Sequence, residues 1–139
     1  MDGTRGRKER DLLLELGGML QEGVQRTPLV LYHSNEAMLV SPHALRFYPG
    51  KDSRRMLVVS HIEQLLGLLK DLHARGIVHR DVRADNFYLQ VDGNILLNDF
   101  GCAHRVEDGE TTYGGCPEPY IRVKRLAGEP YLPDPRDDL

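Results

Sequence analysis

The stretch from residue 77 to residue 101, IVHRDVRADNFYLQVDGNILLNDFG, decides which fold this chain adopts. Two short runs inside it, Phe87 to Gln90 and Ile95 to Leu97, are rich in apolar and aromatic residues and predict strands. Asp92-Gly93 lies between the runs and is a strong signal for a tight turn, so the sequence predicts a β-hairpin. Such a hairpin would carry the chain from one polar loop back to another, and loops anchored on regular elements can position residues for chemistry.

A helix is predicted directly before this stretch, over residues 60–75. Ser60 and Glu63 have the spacing of a capping box, and Gly76 is placed as a C-terminal stop. Apolar residues between these signals recur at helical spacing, at Ile62, Leu65, Leu66, Leu69 and Leu72. We expect this stripe to pack into the core, so the helix is a scaffold and not a site.

The N-terminal part of the chain predicts a weaker helix and a second hairpin. Residues 11–22 show helical spacing of apolar residues with Asp11 as a candidate N-cap, although two adjacent glycines disfavour a helix interior. Residues 29–32 and 37–40 are short apolar runs that predict two paired strands. The prolines and charges of residues 41–55 favour a loop or linker.

Composition limits the class of protein. The chain has 139 residues and a formal net charge of −3, which fits one domain or less and gives no signature of nucleic-acid binding. It has no apolar run of about eighteen residues, so no membrane association is expected, and its charged start lacks the apolar stretch of a signal peptide. Cys102 and Cys116 match no metal-binding spacing, and we expect reduced thiols in a cytoplasmic or nuclear protein.

The motifs HRD (residues 79–81) and DFG (residues 99–101), with Asn86 between them, resemble the protein kinase superfamily. The resemblance implies an α+β chain with a partial protein kinase-like fold. This fold would consist mainly of the helical C-lobe, with a catalytic-loop β-hairpin and a remnant N-lobe hairpin. It would divide the chain into a charged start with a candidate αC-like helix, residues 1–28, and a partial kinase-like domain, residues 29–139.

The resemblance also assigns roles to individual residues. Asp81 matches the catalytic base that orients the substrate hydroxyl and accepts its proton. Asn86, which belongs to the same catalytic loop, and Asp99 match the ligands of the magnesium ions on the ATP phosphates. Arg83 stands where serine/threonine kinases usually carry a Lys that contacts the transferred phosphate, and a salt bridge to Asp85 is an equally open interpretation. The implied cofactors are ATP and Mg²⁺, and the implied partner is a protein substrate, with serine or threonine favoured over tyrosine.

Residues 102–120 resemble an activation loop. Thr111, Thr112 and Tyr113 are hydroxyl residues on a Gly-rich stretch, and phosphorylation there would give Arg80 an anionic partner. The alternatives are that these are ordinary polar loop residues and that Arg80 only braces the loop.

Two later segments match the family in part. Residues 115–118, GCPE, share residue types with the Gly-Thr and Pro-Glu elements, although their order and spacing depart from the usual pattern. Residues 136–139, RDDL, look like the start of the helix whose first-turn Asp supports the HRD backbone.

The upstream half of the family pattern is missing. No Gly-rich loop follows a strand, and no lysine ends an apolar strand, so the Lys that pairs with a helix Glu is not found. The helix of residues 11–22 would stand for αC, with Glu15 or Glu22 as its acid. Residues 39–42 would then lie near the adenine edge of the nucleotide.

Three hypotheses follow. The first is a protein kinase domain, truncated at both ends, whose parent transfers phosphate from ATP; the second is a pseudokinase-like module that binds a partner or nucleotide; the third is a small-molecule phosphotransferase. The intact polar set at Asp81, Asn86 and Asp99 favours the first, and the missing Lys and Gly-rich loop favour the second. We expect the isolated chain to have little or no kinase activity.

Overall fold

Two helices and nine short strands make up the part of the chain that the structure describes. The computed structural model describes residues 3–41, 45–46, 59–112 and 130–138. Helix α1 is Gly3–Leu16 and helix α2 is Val59–Ala74. The strands are β1 Leu20–Gln21, β2 Val24–Gln25, β3 Leu29–His33, β4 Met38–Ser41, β5 Leu45–Arg46, β6 Ile77–Val78, β7 Phe87–Leu89, β8 Ile95–Leu97 and β9 His104–Arg105. Short 3₁₀ turns are Ala84–Asn86, Val106–Asp108 and Pro135–Asp138. The chain is therefore α+β.

The strands form small antiparallel sheets. Among the described residues, β1 pairs with β2, β3 with β4 and β6 with β9, while β5, β7 and β8 form a three-stranded sheet in that order. The hairpin predicted within residues 87–97 is confirmed as β7 and β8, with Phe87 opposite Leu97. The Asp92 carboxylate holds its turn by accepting a hydrogen bond from the backbone N–H of Asn94 at 3.0 Å. This hairpin connects the two loops that carry the polar motifs.

The second predicted hairpin is also confirmed, as β3 and β4, with Leu29 opposite Ser41. The Ser34 hydroxyl accepts a hydrogen bond from the N–H of Ala37 at 3.1 Å and so stabilises the turn. The loop predicted for residues 41–55 is wrong at β5, which pairs with β7. A two-residue strand has no detectable alternation of its own, and its extended conformation comes from this cross-strand pairing.

Helix α2 lies within one residue of its predicted bounds. It begins at Val59, so Ser60 is inside the helix and is not the cap that the sequence predicts. Gly76 ends the helical segment with a φ of 72°, the left-handed conformation that glycine adopts without steric cost. The predicted core stripe is wrong for Ile62 and Leu66, whose side chains are 42% and 51% exposed. The buried leucines are Leu65, Leu68, Leu69 and Leu72.

Helix α1 differs from the helix predicted over residues 11–22. It starts eight residues earlier, which places Asp11 in its interior, and it ends at Leu16. The following Gly17 and Gly18 have φ values of 60° and 67°, which a helix cannot contain. The two glycines therefore terminate the helix, and the chain continues into the β1–β2 hairpin that the sequence pattern did not indicate.

One apolar core joins both helices to the β7–β8 hairpin. Leu68, Leu72 and Leu97 are fully buried at its centre, and each such leucine contributes roughly 1.5–3 kcal/mol by leaving water. Phe100 of the DFG motif belongs to the same cluster, so the polar loops are attached to the most tightly packed part of the molecule. No helix in the described ranges has the length and apolar character needed to cross a bilayer.

The segment after the DFG motif is fastened in two places. Strand β9 pairs with β6, and Thr111 forms an isolated antiparallel bridge with Tyr131. Cys102 is disulfide-bonded, so the expectation of reduced thiols is wrong for this residue. The only other cysteine of the sequence, Cys116, lies outside the described residues.

Other predictions also fall outside the described ranges. They are the candidate phosphorylation residue Tyr113, the partial Pro-Glu match of residues 115–118, and Pro42 of the segment predicted to lie near the adenine edge of the nucleotide.

Candidate active site

The Asp138 carboxylate holds the backbone of the HRD motif. One of its oxygens accepts a hydrogen bond from the N–H of His79 at 2.9 Å, and the other accepts from the N–H of Arg80 at 2.7 Å. Arg80 has a φ of 68°, which costs a non-glycine residue on the order of 1–2 kcal/mol. The two charge-assisted hydrogen bonds offset this cost. The structure therefore confirms that an Asp of residues 136–139 supports the HRD backbone and identifies it as Asp138. A third partner of this carboxylate, His73 Nε2 at 2.7 Å, was not predicted.

His79 locks the catalytic loop to the DFG loop. Its side chain is fully buried, its Nδ1 accepts a hydrogen bond from the N–H of Asp81 at 3.2 Å, and its Nε2 lies 3.0 Å from the carbonyl oxygen of Asn98. Because Nδ1 is an acceptor, Nε2 carries the proton and donates to that carbonyl. The ring also meets Phe100 edge-on, with centroids 4.9 Å apart. His79 and Phe100 are packing residues, as expected.

Asp81 and Asn86 lie together on this loop. The side-chain N–H of Asn86 donates to the backbone carbonyl of Asp81 at 2.7 Å, and both residues are at least nine-tenths buried. The carbonyl of Asn86 accepts from the N–H of Asn98 at 2.9 Å, so Asn86 is bonded to the residue directly before Asp99. These contacts bring the three residues singled out in the sequence to adjoining positions. The amide oxygen of Asn86, the atom that would bind a cation, is not used in these bonds.

Asp99 has a strained backbone and a half-buried side chain. Its φ is 57°, and its Oδ1 accepts a hydrogen bond from the N–H of Gly101 at 3.2 Å. Strain at a polar loop residue is common at functional sites, where the surrounding packing maintains it. Here the following Phe100, buried in the core, provides that packing.

Glu9 is the acidic residue that α1 places at this site. Its carboxylate accepts a hydrogen bond from the backbone N–H of Phe100 at 3.0 Å. The two acids favoured from the sequence are elsewhere: Glu15 pairs with Arg105, and Glu22 lies in the turn between β1 and β2 with a φ of 51°. The prediction failed because the helix was started too late. Glu9 precedes the buried Leu12 and Leu13 by three and four residues, the spacing that places it on the core-facing side of α1.

Arg83 contacts two carboxylates. Its Nε lies 3.0 Å from Oδ1 of Asp81, and its Nη1 lies 3.4 Å from Oδ2 of Asp85. The Nε–H does not point at a hydrogen-bond acceptor, so the contact with Asp81 is a charge pairing and not a directed hydrogen bond. The salt bridge to Asp85 that the sequence left open is therefore present, together with a shorter contact to Asp81.

Arg80 braces the segment that follows the DFG motif. Its Nε donates to the carbonyl of Cys102 at 2.6 Å, and its Nη1 donates to the carbonyl of Thr112 at 3.2 Å and to the Tyr131 hydroxyl at 3.0 Å. Tyr131 is also the partner of Thr111 in the isolated bridge. The sequence left open whether Arg80 braces this loop. In the structure it does so, through hydrogen bonds to unmodified groups of the chain.

Lys8 and His104 join α1 to the same segment. Lys8 Nζ lies 2.8 Å from His104 Nδ1, and His104 Nε2 lies 2.9 Å from the carbonyl of Gly109. Burial lowers the pKa of Lys8, and the nearby Arg80 lowers it further. Burial also lowers the pKa of His104, helped by the charges of Lys8 and Arg80 and opposed by the bond to Gly109. Neutral His104 fits these contacts, with Nδ1 accepting from the ammonium group and Nε2–H donating to the carbonyl.

Comparison with known proteins agrees with this geometry. The family model of the protein kinase domain matches residues 42–132 of the sequence, which is more than half of the chain. The chain therefore belongs to the protein kinase family.

Individual relatives match over shorter lengths. Protein kinase C zeta type of Oryctolagus cuniculus is 45% identical over 65 residues, which cover 45% of this chain and 11% of that protein. Serine/threonine-protein kinase MST20 of Pyricularia oryzae is 47% identical over 58 residues, 40% of this chain and 6% of that protein. Serine/threonine-protein kinase ste20 of Aspergillus fumigatus is 43% identical over 47 residues, 34% of this chain and 6% of that protein. The chain thus spans only a small part of the length of these relatives.

Proposed function

We propose that the site serves phosphoryl transfer from ATP to a serine or threonine hydroxyl of a protein. The observation that carries the proposal is one hydrogen-bond network that joins the loops of Asp81, Asn86 and Asp99. Asp138 holds the HRD backbone, Asn86 is bonded to Asp81, and Asn86 is also bonded to Asn98, the residue directly before Asp99. The names of two of the relatives, both serine/threonine-protein kinases, support the choice of hydroxyl.

Each residue has a distinct task in this proposal. Asp81 orients the substrate hydroxyl and accepts its proton, and its buried, bonded position restricts the directions that its carboxylate can take. Arg83, already paired with Asp81 and Asp85, contributes positive charge where negative charge moves during transfer. Glu9 keeps the DFG backbone in place by accepting the N–H of Phe100.

The residues present fit a magnesium-bound nucleotide on one side. The amide oxygen of Asn86 and the carboxylate of Asp99 are hard oxygen ligands of the kind that Mg²⁺ prefers. When bound, Mg-ATP would supply the phosphoryl group and neutralise charge on its phosphates. On the other side, the sequence has neither a Gly-rich loop nor a Lys at the end of an apolar strand. In this proposal the β7–β8 hairpin and α2 belong to the C-lobe, and β3–β4 is what remains of the N-lobe sheet.

The absence of a Gly-rich loop and a strand Lys from the sequence favours a second function, that of a non-catalytic binding module. A kinase-like module without the phosphate clamp could bind a partner and perform no chemistry, with Asp81, Asn86 and Asp99 retained for structure. A small-molecule phosphotransferase is a weaker alternative because the HRD Arg80 and the Phe100-Gly101 pair match protein kinases.

Nucleotide binding distinguishes these functions. We expect the 139-residue chain to bind Mg-ATP weakly in a ³¹P NMR or calorimetric titration, and Asp99→Asn to weaken the magnesium-dependent part at least about tenfold. Asp85→Asn, which changes an exposed carboxylate of the same loop, is the matched control. If binding is absent at about 10 mM nucleotide, or is independent of both magnesium and Asp99, the kinase proposal for this site is wrong and the partner-binding module is favoured.

A further inference from the structure

A cavity of about 660 Å³ lies between the β1–β2 hairpin and helix α2. None of its lining residues belongs to the set proposed for phosphoryl transfer. The wall is strongly polar and includes Glu22, Arg26, Glu63, Gln64, Asp71 and Asn94. Its volume is in the range of small-molecule binding sites.

Arg26 is the unusual residue of this wall. It is only 4% exposed, its Nη1 donates to the neutral amide oxygen of Gln64 at 2.9 Å, and its Nε is buried without a hydrogen-bond partner among the described residues. Burial lowers its pKa, and the charges of Asp92 and Glu22 oppose that shift. A buried guanidinium with an unused donor is costly unless an anion compensates it.

Gln64 gives the cavity a fixed inner wall beside Arg26. Its amide oxygen accepts from both Arg26 and the backbone N–H of Ile95, the latter at 3.0 Å, and its amide nitrogen donates to Asn94 Oδ1 at 3.1 Å. Both the oxygen and the nitrogen of the side-chain amide therefore have partners, and the group that contacts Arg26 is held in one orientation. A ligand carboxylate would meet the guanidinium in a preorganised setting, and the planar fork of arginine matches carboxylate geometry.

The remaining charges of the lining are negative. Glu22, Glu63 and Asp71 are exposed carboxylates, and the described side-chain contact of Asp71 is with a neutral group, the Gln21 amide, at 3.0 Å. Three carboxylates would repel a multiply charged phosphate and attract a cationic group. A ligand that suits both parts of the wall carries one carboxylate and at least one positive nitrogen.

Gly67 keeps the cavity open on the side of α2. It lies in the middle of the helix, where glycine is unfavourable, and it lines the cavity. A Cβ at this position would meet the amide end of Gln21 at 3.1 Å. Any longer side chain would extend into the space between Gln21 and the helix.

We propose that this cavity binds a small zwitterion of the basic amino-acid class. Its carboxylate pairs with Arg26, and its cationic side chain is held by Glu22, Glu63 and Asp71 at the rim.

Titration of the 139-residue chain with L-arginine, followed by ¹⁵N NMR and calorimetry, tests the proposal. We expect saturable binding that shifts the resonances of the lining residues. Agmatine, which has no carboxylate, and inorganic phosphate, which has no cation, should each bind at least about tenfold more weakly. Arg26→Met should abolish binding, and Glu63→Gln should weaken it.

Removing a buried charge can also destabilise the fold, so a blocking variant is needed. Gly67→Leu extends a side chain that favours helix into the cavity beside Gln21, and Lys70→Leu places the same side chain on an exposed position of α2 outside the lining. We expect Gly67→Leu to abolish binding and Lys70→Leu to leave it unchanged. The proposal is overturned by unchanged binding in folded Gly67→Leu, by phosphate or agmatine binding as well as L-arginine, or by no saturable binding at about 10 mM.

Discussion

Asp138 connects the far end of the described chain to the catalytic loop. It lies 59 positions after His79, and its side chain is fully buried. The sequence indicated an Asp in residues 136–139 because of the family pattern, but only the contacts show which Asp accepts both N–H groups.

Replacing Asp138 by Asn is expected to destabilise the chain by roughly 2–3 kcal/mol. An amide has one acceptor oxygen, so one of the two N–H groups would lose its partner, and the charge that strengthens both bonds would be lost. Urea unfolding followed by circular dichroism measures the change. Asp85→Asn, at an exposed position, should change stability by less than about 0.5 kcal/mol; equal effects of the two substitutions would contradict this role of Asp138.

His104 makes the stability of the chain depend on pH. Its pKa is lowered from 6.5 in the folded state, first by burial and then by the charges of Lys8 and Arg80, while the hydrogen bond to Gly109 and the charge of Asp108 act in the opposite sense. Below pH 6.5 the unfolded chain therefore takes up a proton that the folded chain does not. The stability contributed by neutral His104 is complete above pH 6.5 and is lost as the pH falls toward the lower folded-state pKa.

Urea midpoints at pH 7.5, 6.5 and 5.5 check this direction. The wild-type midpoint should fall with pH more steeply than that of His104→Gln, which keeps hydrogen-bonding capacity without the titration. A parallel fall in both proteins would show that other groups determine the acid sensitivity.

The helices and strands that were predicted correctly are those with an apolar periodicity or a turn signal of their own. Helix α2 and both hairpins were predicted because apolar spacing, Asp92-Gly93 and the stop at Gly76 are local features. The elements that were missed, β1, β2, β5, β6 and β9, are two-residue strands, too short to show an alternation of their own. Strands β5 and β6 also pair with strands that are distant in sequence. Ile62 and Leu66 were predicted to lie in the core because the apolar stripe of α2 shows which face of the helix packs inward. The stripe does not show how much of that face is covered by the core.

The junction after α1 offers a test of why that helix ends. Gly17 and Gly18 both have positive φ, but a Cβ on Gly17 would meet nothing within 4 Å, while one on Gly18 would lie 3.1 Å from Cβ of Leu29. Gly17→Ala should cost about 1–2 kcal/mol from backbone strain alone. Gly18→Ala should cost more, because steric crowding adds to the strain.

Thermal or urea unfolding of the two variants provides the comparison. If Gly18→Ala is the milder change, the close approach of this turn to β3 is not a constraint in solution.

For the molecule as a whole, the sequence identified the family motifs better than the contacts that surround them. The HRD, Asn86 and DFG set was found because its residue types and spacing are specific. Glu9 was missed because the helix bounds were wrong, and the disulfide at Cys102 was missed because cysteine spacing alone does not report proximity. The division of the chain at residue 28 stays a prediction.

We propose that the chain carries the catalytic-loop half of a kinase site, while its sequence has neither the Gly-rich loop nor the strand Lys that would hold the nucleotide from the other side. Transfer of radiolabelled phosphate from Mg-ATP to a mixed serine/threonine peptide library tests it most directly, with Asp99→Asn as the reference. We predict that the wild-type 139-residue chain transfers phosphate at a rate close to that of Asp99→Asn. Robust transfer that Asp99→Asn abolishes would contradict the claim, because the half-site would then suffice for catalysis.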